Sequence, residues 1–335
     1  MDRETLRATV GLLRGRAEDP EQMIKDVRAG LLSTPKDLSP WPKYFYDERG
    51  SELFEKITSL PEYYQTRVEL SILREKAQEI VAYTRCRELV ELGSGSANKT
   101  RTLLDAMFAC GGESLVRYVP LDVSESALRD SAQRLLEEYP ALEISGFVED
   151  FDRSLEFLLA HPRQAGGRLI IFLGGTIGNF TPEQRRSFLS KVRAGLATGD
   201  YVLIGVDLVK NAGVLEAAYD DAAGITAKFN KNLLNVLNHK LGGEFDPDLF
   251  AHRVIYDTAE TRIEMWLDSE VKQKVPMAAL DLEIPFEAGE GIRTEISTKF
   301  TPDSVHTSFR EAGFRLLHLY TDAENLFGLA LGEPT

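Results

Sequence analysis

Apolar positions change their period along this chain, and the changes divide it into stretches of different structure. Leu6, Val10 and Leu13, then Ile24, Val27, Leu31 and Leu32, recur at helical spacing, so residues 1 to about 35 read as helix ended by Pro35. From Glu88 the pattern becomes short apolar runs, at residues 89–92, 118–121, 144–148, 169–173 and 201–206, separated by helical stretches. Such alternation predicts a parallel sheet covered on both faces, a doubly wound α/β core. After Asp207 the alternation lapses into helix through about Leu241, then into antiparallel-looking segments at 262–267 and 278–286. An insertion of that length predicts a second, smaller domain. Residues 292–300, a helix from Pro302, and strands near 316–320 and 326–331 are expected to return to the sheet edge.

Composition narrows the class of ligand. Of 335 residues, 39 are Lys or Arg and 53 are Asp or Glu, a formal net charge of −14. That balance argues against DNA or RNA as a partner and suits a small-molecule substrate. The strongly apolar run near residues 169–175 is far short of the roughly 18 residues of a membrane span, so no membrane association is expected. The start, Met1-Asp2-Arg3-Glu4, has no basic and then apolar leader, so the chain reads as cytoplasmic. Cys86 and Cys110 offer neither a disulfide framework nor zinc spacing, and His161, His239, His252, His306 and His318 are scattered, so no metal is expected. The oligomeric state is not set; a monomer is compatible.

The sharpest local signal is Glu91-Leu92-Gly93-Ser94-Gly95-Ser96, an apolar strand entering a Gly-x-Gly turn and then a helix with Leu103, Leu104 and Met107. Glycines let the backbone approach a ligand and the helix start offers free N–H groups, so a nucleotide-like cofactor is one reading and a simple tight turn the other. A dinucleotide fingerprint needs a third glycine at the position of Asn98, which disfavours NAD. The next strand ends in Pro120-Leu121-Asp122, with a carboxylate placed for both ribose hydroxyls or, alternatively, for capping the following helix. A third strand end, Glu149-Asp150-Phe151, sets an acid beside an aromatic, suited to an adenine amino group and ring face. Together these three strand ends resemble the S-adenosylmethionine (SAM) site of class I methyltransferases, whose chemistry requires no nucleophilic triad, P-loop lysine or metal.

A longer resemblance covers residues 25 to 333. Tyr44-Phe45-Tyr46-Asp47-Glu48-Arg49-Gly50-Ser51, with Leu60-Pro61-Glu62-Tyr63-Tyr64-Gln65-Thr66-Arg67, resembles the N-terminal signature of the histidine-specific Nα-methyltransferases of ergothioneine biosynthesis. Blocks at 172–179, 207–210, 219–224, 262–266 and 294–297 match the same family. The resemblance implies a class I (Rossmann-like) core at 68–206 and 294–335 that binds SAM, and an α+β substrate-binding domain at 1–67 and 207–293. It implies trimethylation of the α-amine of L-histidine to hercynine. Carried over residue by residue, it places SAM on Gly93, Lys99, Asp122, Asp150 and Phe151. It places histidine on Tyr63, Asn179, Tyr219, Met265, Glu295 and Ser297, with Tyr46, Gly174 and Asn179 near the reacting amine. Asn179 and Tyr219 would hold the carboxylate. Glu295 would accept the imidazole N–H and Ser297 would satisfy the other ring nitrogen, as donor or acceptor. The competing readings are methylation of another aromatic amino acid such as tryptophan, a SAM-binding protein without turnover, and an NAD-dependent oxidoreductase.

Overall fold

Strands form where the apolar runs lie, in a computed structural model that describes residues 13–14, 20–95, 97–111, 116–123, 125–148 and 166–335. In chain order they are β1 (Leu13–Arg14), β2 (Lys36–Asp37), β3 (Cys86–Leu92), β4 (Val116–Asp122), β5 (Leu142–Ile144), β6 (Phe147–Val148), β7 (Gly167–Phe172) and β8 (Tyr201–Asp207). The second half adds β9 (Phe250–Asp257), β10 (Arg262–Ser269), β11 (Gln273–Met277), β12 (Leu282–Phe286), β13 (Gly291–Thr298), β14 (Phe314–Thr321) and β15 (Phe327–Pro334).

Nine of these make one sheet in the order β1-β6-β4-β3-β7-β8-β15-β14, with β5 beside β4. The pairings are parallel, except that β15 runs antiparallel to both of its neighbours. Successive residues of a strand point to opposite faces, so each strand feeds two cores. Leu89, Tyr118, Leu169 and Leu203 pack with Ile72, Leu73 and Ile80 of the helix Tyr64–Thr84. Val90, Val119, Ile170 and Val202 pack on the other face with Phe188 and Leu189 of the helix Pro182–Ala194 and Phe309 of the helix Pro302–Glu311. From β3 the chain first builds outward through β4 and β6, then crosses back to β7 on the other side of β3. The carboxyl ends of β3 and β7 therefore flank the crevice where open α/β sheets bind ligands.

A second sheet, β2-β13-β10-β9, is antiparallel except where β2 joins β13, and β11 and β12 form a separate hairpin. Its core takes Phe250, Leu267 and Ile292 together with Phe229, Leu233 and Leu237 of the helix Ile225–Leu241 and Leu53 and Ile57 of the helix Glu48–Thr58. Among the described residues, no helix is long and apolar enough to cross a membrane.

Two expectations differ from this arrangement. Leu13 was assigned to a helix, but Leu13–Arg14 pairs in parallel with Phe147–Val148 at the open edge of the large sheet, and the helix begins at Pro20. Residues 292–300 were expected at the edge of the large sheet, with the core resuming at 294. Instead β13 lies inside the small sheet, paired along its length with β10, and the chain rejoins the large sheet at β14. Alternation marks a segment as a strand without naming its partner.

Candidate active site

One cavity opens where the loops after β7 and β8 face the small sheet, with about 590 Å³ of empty space when its mouth to solvent is included. The residues Tyr46, Tyr63, Gly174, Asn179, Tyr219, Met265, Glu295 and Ser297 all line it. They come from six separate parts of the chain, and local structure explains how they are held. Tyr46 sits immediately before Asp47, whose carboxylate caps the helix Glu48–Thr58 by accepting the Gly50 N–H at 2.7 Å and also accepts from Asn232 Nδ2 at 2.8 Å. That joint fixes the Tyr46 ring against Phe54 and Phe229, at centroid distances of 5.6 and 5.8 Å. Tyr63 lies at the start of the helix Tyr64–Thr84, its ring edge-on to Tyr219 at 6.5 Å.

Asn179 closes the one-turn helix Thr176–Asn179 after β7. It is not the cap of the next helix, because Thr181 performs that role in a capping box with Gln184. This turn approaches β13 closely: a Cβ on Gly178 would stand 2.8 Å from the Thr298 carbonyl oxygen and 3.4 Å from Ser297 Oγ. On β13 itself, a register shift opposite Met265 and Trp266 sets Met265 across from Glu295. Such a bulge re-aims side chains, and here both Met265 and Glu295 line the cavity.

The electrostatics of these walls are those of a nearly dry site. Burial pushes the Glu295 carboxyl up to about 7, against the opposing pull of Lys299. Burial, then neighbouring acids and tyrosines, raises Tyr46, Tyr63 and Tyr219 well above the usual phenol range, so all three stay neutral. The Tyr219 backbone is held from behind, its carbonyl 3.0 Å from His252 Nε2, while His252 Nδ1 meets Asn230 Nδ2 at 2.9 Å. That pairing assigns the Nε2–H tautomer, in keeping with burial lowering the pKa of His252.

Gly93, Lys99 and Asp122 do not line this cavity; they gather beside it at the ends of β3 and β4. Gly93 and Gly95 take φ of 73° and 47°, a left-handed turn that L side chains adopt rarely. A Cβ on Gly95 would meet none of the described residues within 4 Å, and Asp122 Oδ2 accepts the Gly95 N–H at 2.9 Å. Such a backbone turn beside a carboxylate fits a nucleoside-bearing ligand. Asp150 and Phe151 lie outside the described residues. The two groups are physically joined, because both oxygens of buried Glu69 accept the Gly174 N–H at 2.9 Å while Glu69 also pairs with Lys99.

The family described as "Histidine-specific methyltransferase, SAM-dependent" matches residues 23–334. The chain belongs to this family. It is 49% identical over 311 residues, 93% of this chain and 94% of the relative, to a histidine N-alpha-methyltransferase of Mycolicibacterium smegmatis. A histidine N-alpha-methyltransferase of Mycobacterium tuberculosis is 47% identical over 92% of this chain and 93% of its own. Ergothioneine biosynthesis protein 1 of Schizosaccharomyces pombe is 31% identical over 82% of this chain and 36% of its own. The protein is thus a SAM-dependent N-methyltransferase, and its doubly wound sheet is the class I methyltransferase fold.

In this methyltransferase the cavity and its surroundings also use residues not singled out by the sequence reading: Gln65, Asp207 and Glu91 lie within matched stretches without an assigned role, and Thr226 lies outside them. Gln65 and Thr226 line the cavity, and neither the Gln65 amide atoms nor Thr226 Oγ1 make a well-formed hydrogen bond. Buried polar atoms left in that state suit a polar ligand. Asp207, at the end of β8, also lines the cavity and accepts the Tyr64 hydroxyl at 2.8 and 2.9 Å. Burial opposes its ionisation, but Lys299 and Lys210 outweigh that and hold its carboxyl below the usual range. Beneath the glycine turn, Glu91 accepts from Thr100 Oγ1 at 2.6 Å and pairs with the Tyr118 hydroxyl, while burial pushes its carboxyl up to about 7. The arrangement as a whole offers neutral donors, the two carboxylates of Glu295 and Asp207, and several aromatic faces around one small polar cavity.

Proposed function

We propose that this methyltransferase transfers three methyl groups from SAM to the α-amine of L-histidine, giving hercynine, in ergothioneine biosynthesis. The observation that carries the reading is the meeting of Asn179 and Tyr219 with Glu295 and Ser297 around one cavity. Neutral donors Asn179 and Tyr219 suit the substrate carboxylate while leaving room for the adjacent amine. Glu295 accepts the imidazole N–H, Ser297 meets the other ring nitrogen, and Met265 forms the apolar wall beside them. A site built on such pairs rejects a guest lacking ring nitrogens, because its buried groups are then left unsatisfied.

SAM brings a methyl group already activated on a sulfonium, so the residues here mainly position it. Gly93, Lys99, Asp122, Asp150 and Phe151 form its binding side, and Gly174 stands between that side and the amine. Alignment of the amine lone pair with the methyl–sulfur bond supplies most of the acceleration. Tyr46 orients the amine as a neutral hydroxyl; its raised pKa makes it unsuited to act as a base. The amine proton leaves through water. As methylation proceeds, the charge becomes a quaternary ammonium, for which the faces of Tyr46, Tyr63 and Tyr219 are favourable neighbours without an ion pair.

Mass spectrometry of the purified protein incubated with SAM and each amino acid separately tests this. Histidine is expected to gain one, two and then three methyl groups. Methylation of tryptophan in preference to histidine, or of neither, would contradict the reading.

A further inference from the structure

Behind Ser297 and Tyr219 the cavity wall continues into a buried charge cluster that the chemistry above does not use. The Lys299 side chain has no exposed surface. Its ammonium carries three protons and no acceptor, and three acceptors surround it: Asp207 Oδ2 at 2.9 Å, Ser297 Oγ at 2.8 Å and the Tyr219 hydroxyl at 3.0 Å. Tyr219 in turn donates to Ser297 Oγ at 2.8 Å. Both lone pairs of Ser297 Oγ are then committed, which leaves its own proton to donate. When a ligand carboxylate draws the Tyr219 hydroxyl away, the Lys299 ammonium beside both oxygens favours the orientation in which each hydroxyl turns its proton to the ligand.

The charges point the same way. Asp207 already has a counter-charge in Lys210, whose Nζ lies 2.5 Å from Oδ1. Lys299 also pairs with Asp207, at 2.9 Å, so the two lysines leave one positive charge in excess of that carboxylate; Glu295 lies on the same side of the strand as Lys299, two pairs of residues earlier, and senses it electrostatically. We propose that Lys299 is a positioning residue that sets the hydrogen-bond polarity of the ring pocket. It fixes Ser297 and Tyr219 as donors and Glu295 as the ionised acceptor. The pocket then takes neutral imidazole in one tautomer, N–H toward Glu295 and lone pair toward Ser297. An imidazolium would turn a second N–H toward a serine oxygen that already accepts from the Lys299 ammonium and lies against its positive charge. This inference rests on the histidine reading and deepens it.

The titratable groups around Glu295 and Lys299, among the described residues, are Tyr46, Tyr63, Tyr64, Tyr219, Tyr256, Asp207 and Lys210. Burial keeps the tyrosines protonated and the two cations hold Asp207 ionised, so Glu295 is the member that changes charge near neutrality.

Two measurements on the full chain test the assignment. In the first, the parent protein with S-adenosylhomocysteine is titrated calorimetrically with hercynine, whose amine cannot titrate, near pH 6 in buffers of different ionisation enthalpy. Selection of neutral imidazole by ionised Glu295 is expected to release about one proton or more to the buffer; no exchange, or uptake, would overturn it. In the second, Lys299→Met and Lys299→Gln are compared with the parent across pH. The KM for histidine is expected to rise about tenfold or more while the KM for SAM stays within about twofold. The acid limb of kcat/KM for histidine is expected to move to higher pH, because Glu295 has lost its cation. A variant with the parent's SAM KM, an unchanged histidine KM and an unmoved acid limb would overturn the proposal. A parent that leaves histidine unmethylated would instead remove the reading beneath it, so the two failures are distinguishable.

Discussion

Glu295 is a carboxylate that has been nearly stripped of water, and its value to the site depends on its charge. Burial raises it to about 7, so it gains its negative charge only as the pH rises through that value. With the ionised form as the proposed acceptor of the ring N–H, kcat/KM for histidine is expected to fall as the pH drops through about 7, and a pH–rate profile checks it. Glu295→Ala removes the acceptor and is expected to lower kcat/KM for histidine by about a hundredfold, with SAM affinity measured by calorimetry within about twofold. Asp122→Ala should do the converse, raising the SAM dissociation constant about tenfold; an unchanged constant would reduce that carboxylate to its bond with the Gly95 N–H. The sequence made Asp122 and Gly93 readable through their places at strand ends, and Glu295 and Ser297 through family blocks. Lys299 was missed although it continues the alternation of 295 and 297 along one strand face. A lysine at such a spacing reads as solvated unless its buried acidic partner, Asp207, is known, and that partner is 92 residues away (299 − 207).

At the scale of elements, the site depends on how the turn after β7 meets β13. Gly178 is the contact point, with no room for a methyl group against the Thr298 carbonyl. Gly178→Ala is expected to push the turn and Asn179 away from Ser297. The histidine kcat/KM should drop about tenfold or more through misplacement, with a smaller change in the KM for SAM; steady-state kinetics in both substrates separates the two. The strands of the large sheet were legible because two-sided burial writes continuous apolar runs. The membership of β13 was not, since pairing with β10 is a long-range choice that periodicity does not encode. The bulge that sets Glu295 opposite Met265 is likewise invisible without the partner strand.

At the scale of the molecule, two sheets with separate cores meet around one cleft. The large sheet brings the glycine turn and Asp122 to its carboxyl edge, while the small sheet and the N-terminal helices bring the aromatic wall and the wall that carries Met265, Glu295 and Ser297. Within the large-sheet part, Glu69 ties the loop after β7, through Gly174, to Lys99 after β3. The measurement that bears most directly on this arrangement is a crystal structure of the protein soaked with S-adenosylhomocysteine and L-histidine together. The expected result is a histidine gripped by Asn179 and Tyr219 at its carboxylate and by Glu295 and Ser297 at its ring, with its amine beside Gly174 facing the sulfur. Two ligands seated in cavities that do not communicate would contradict it.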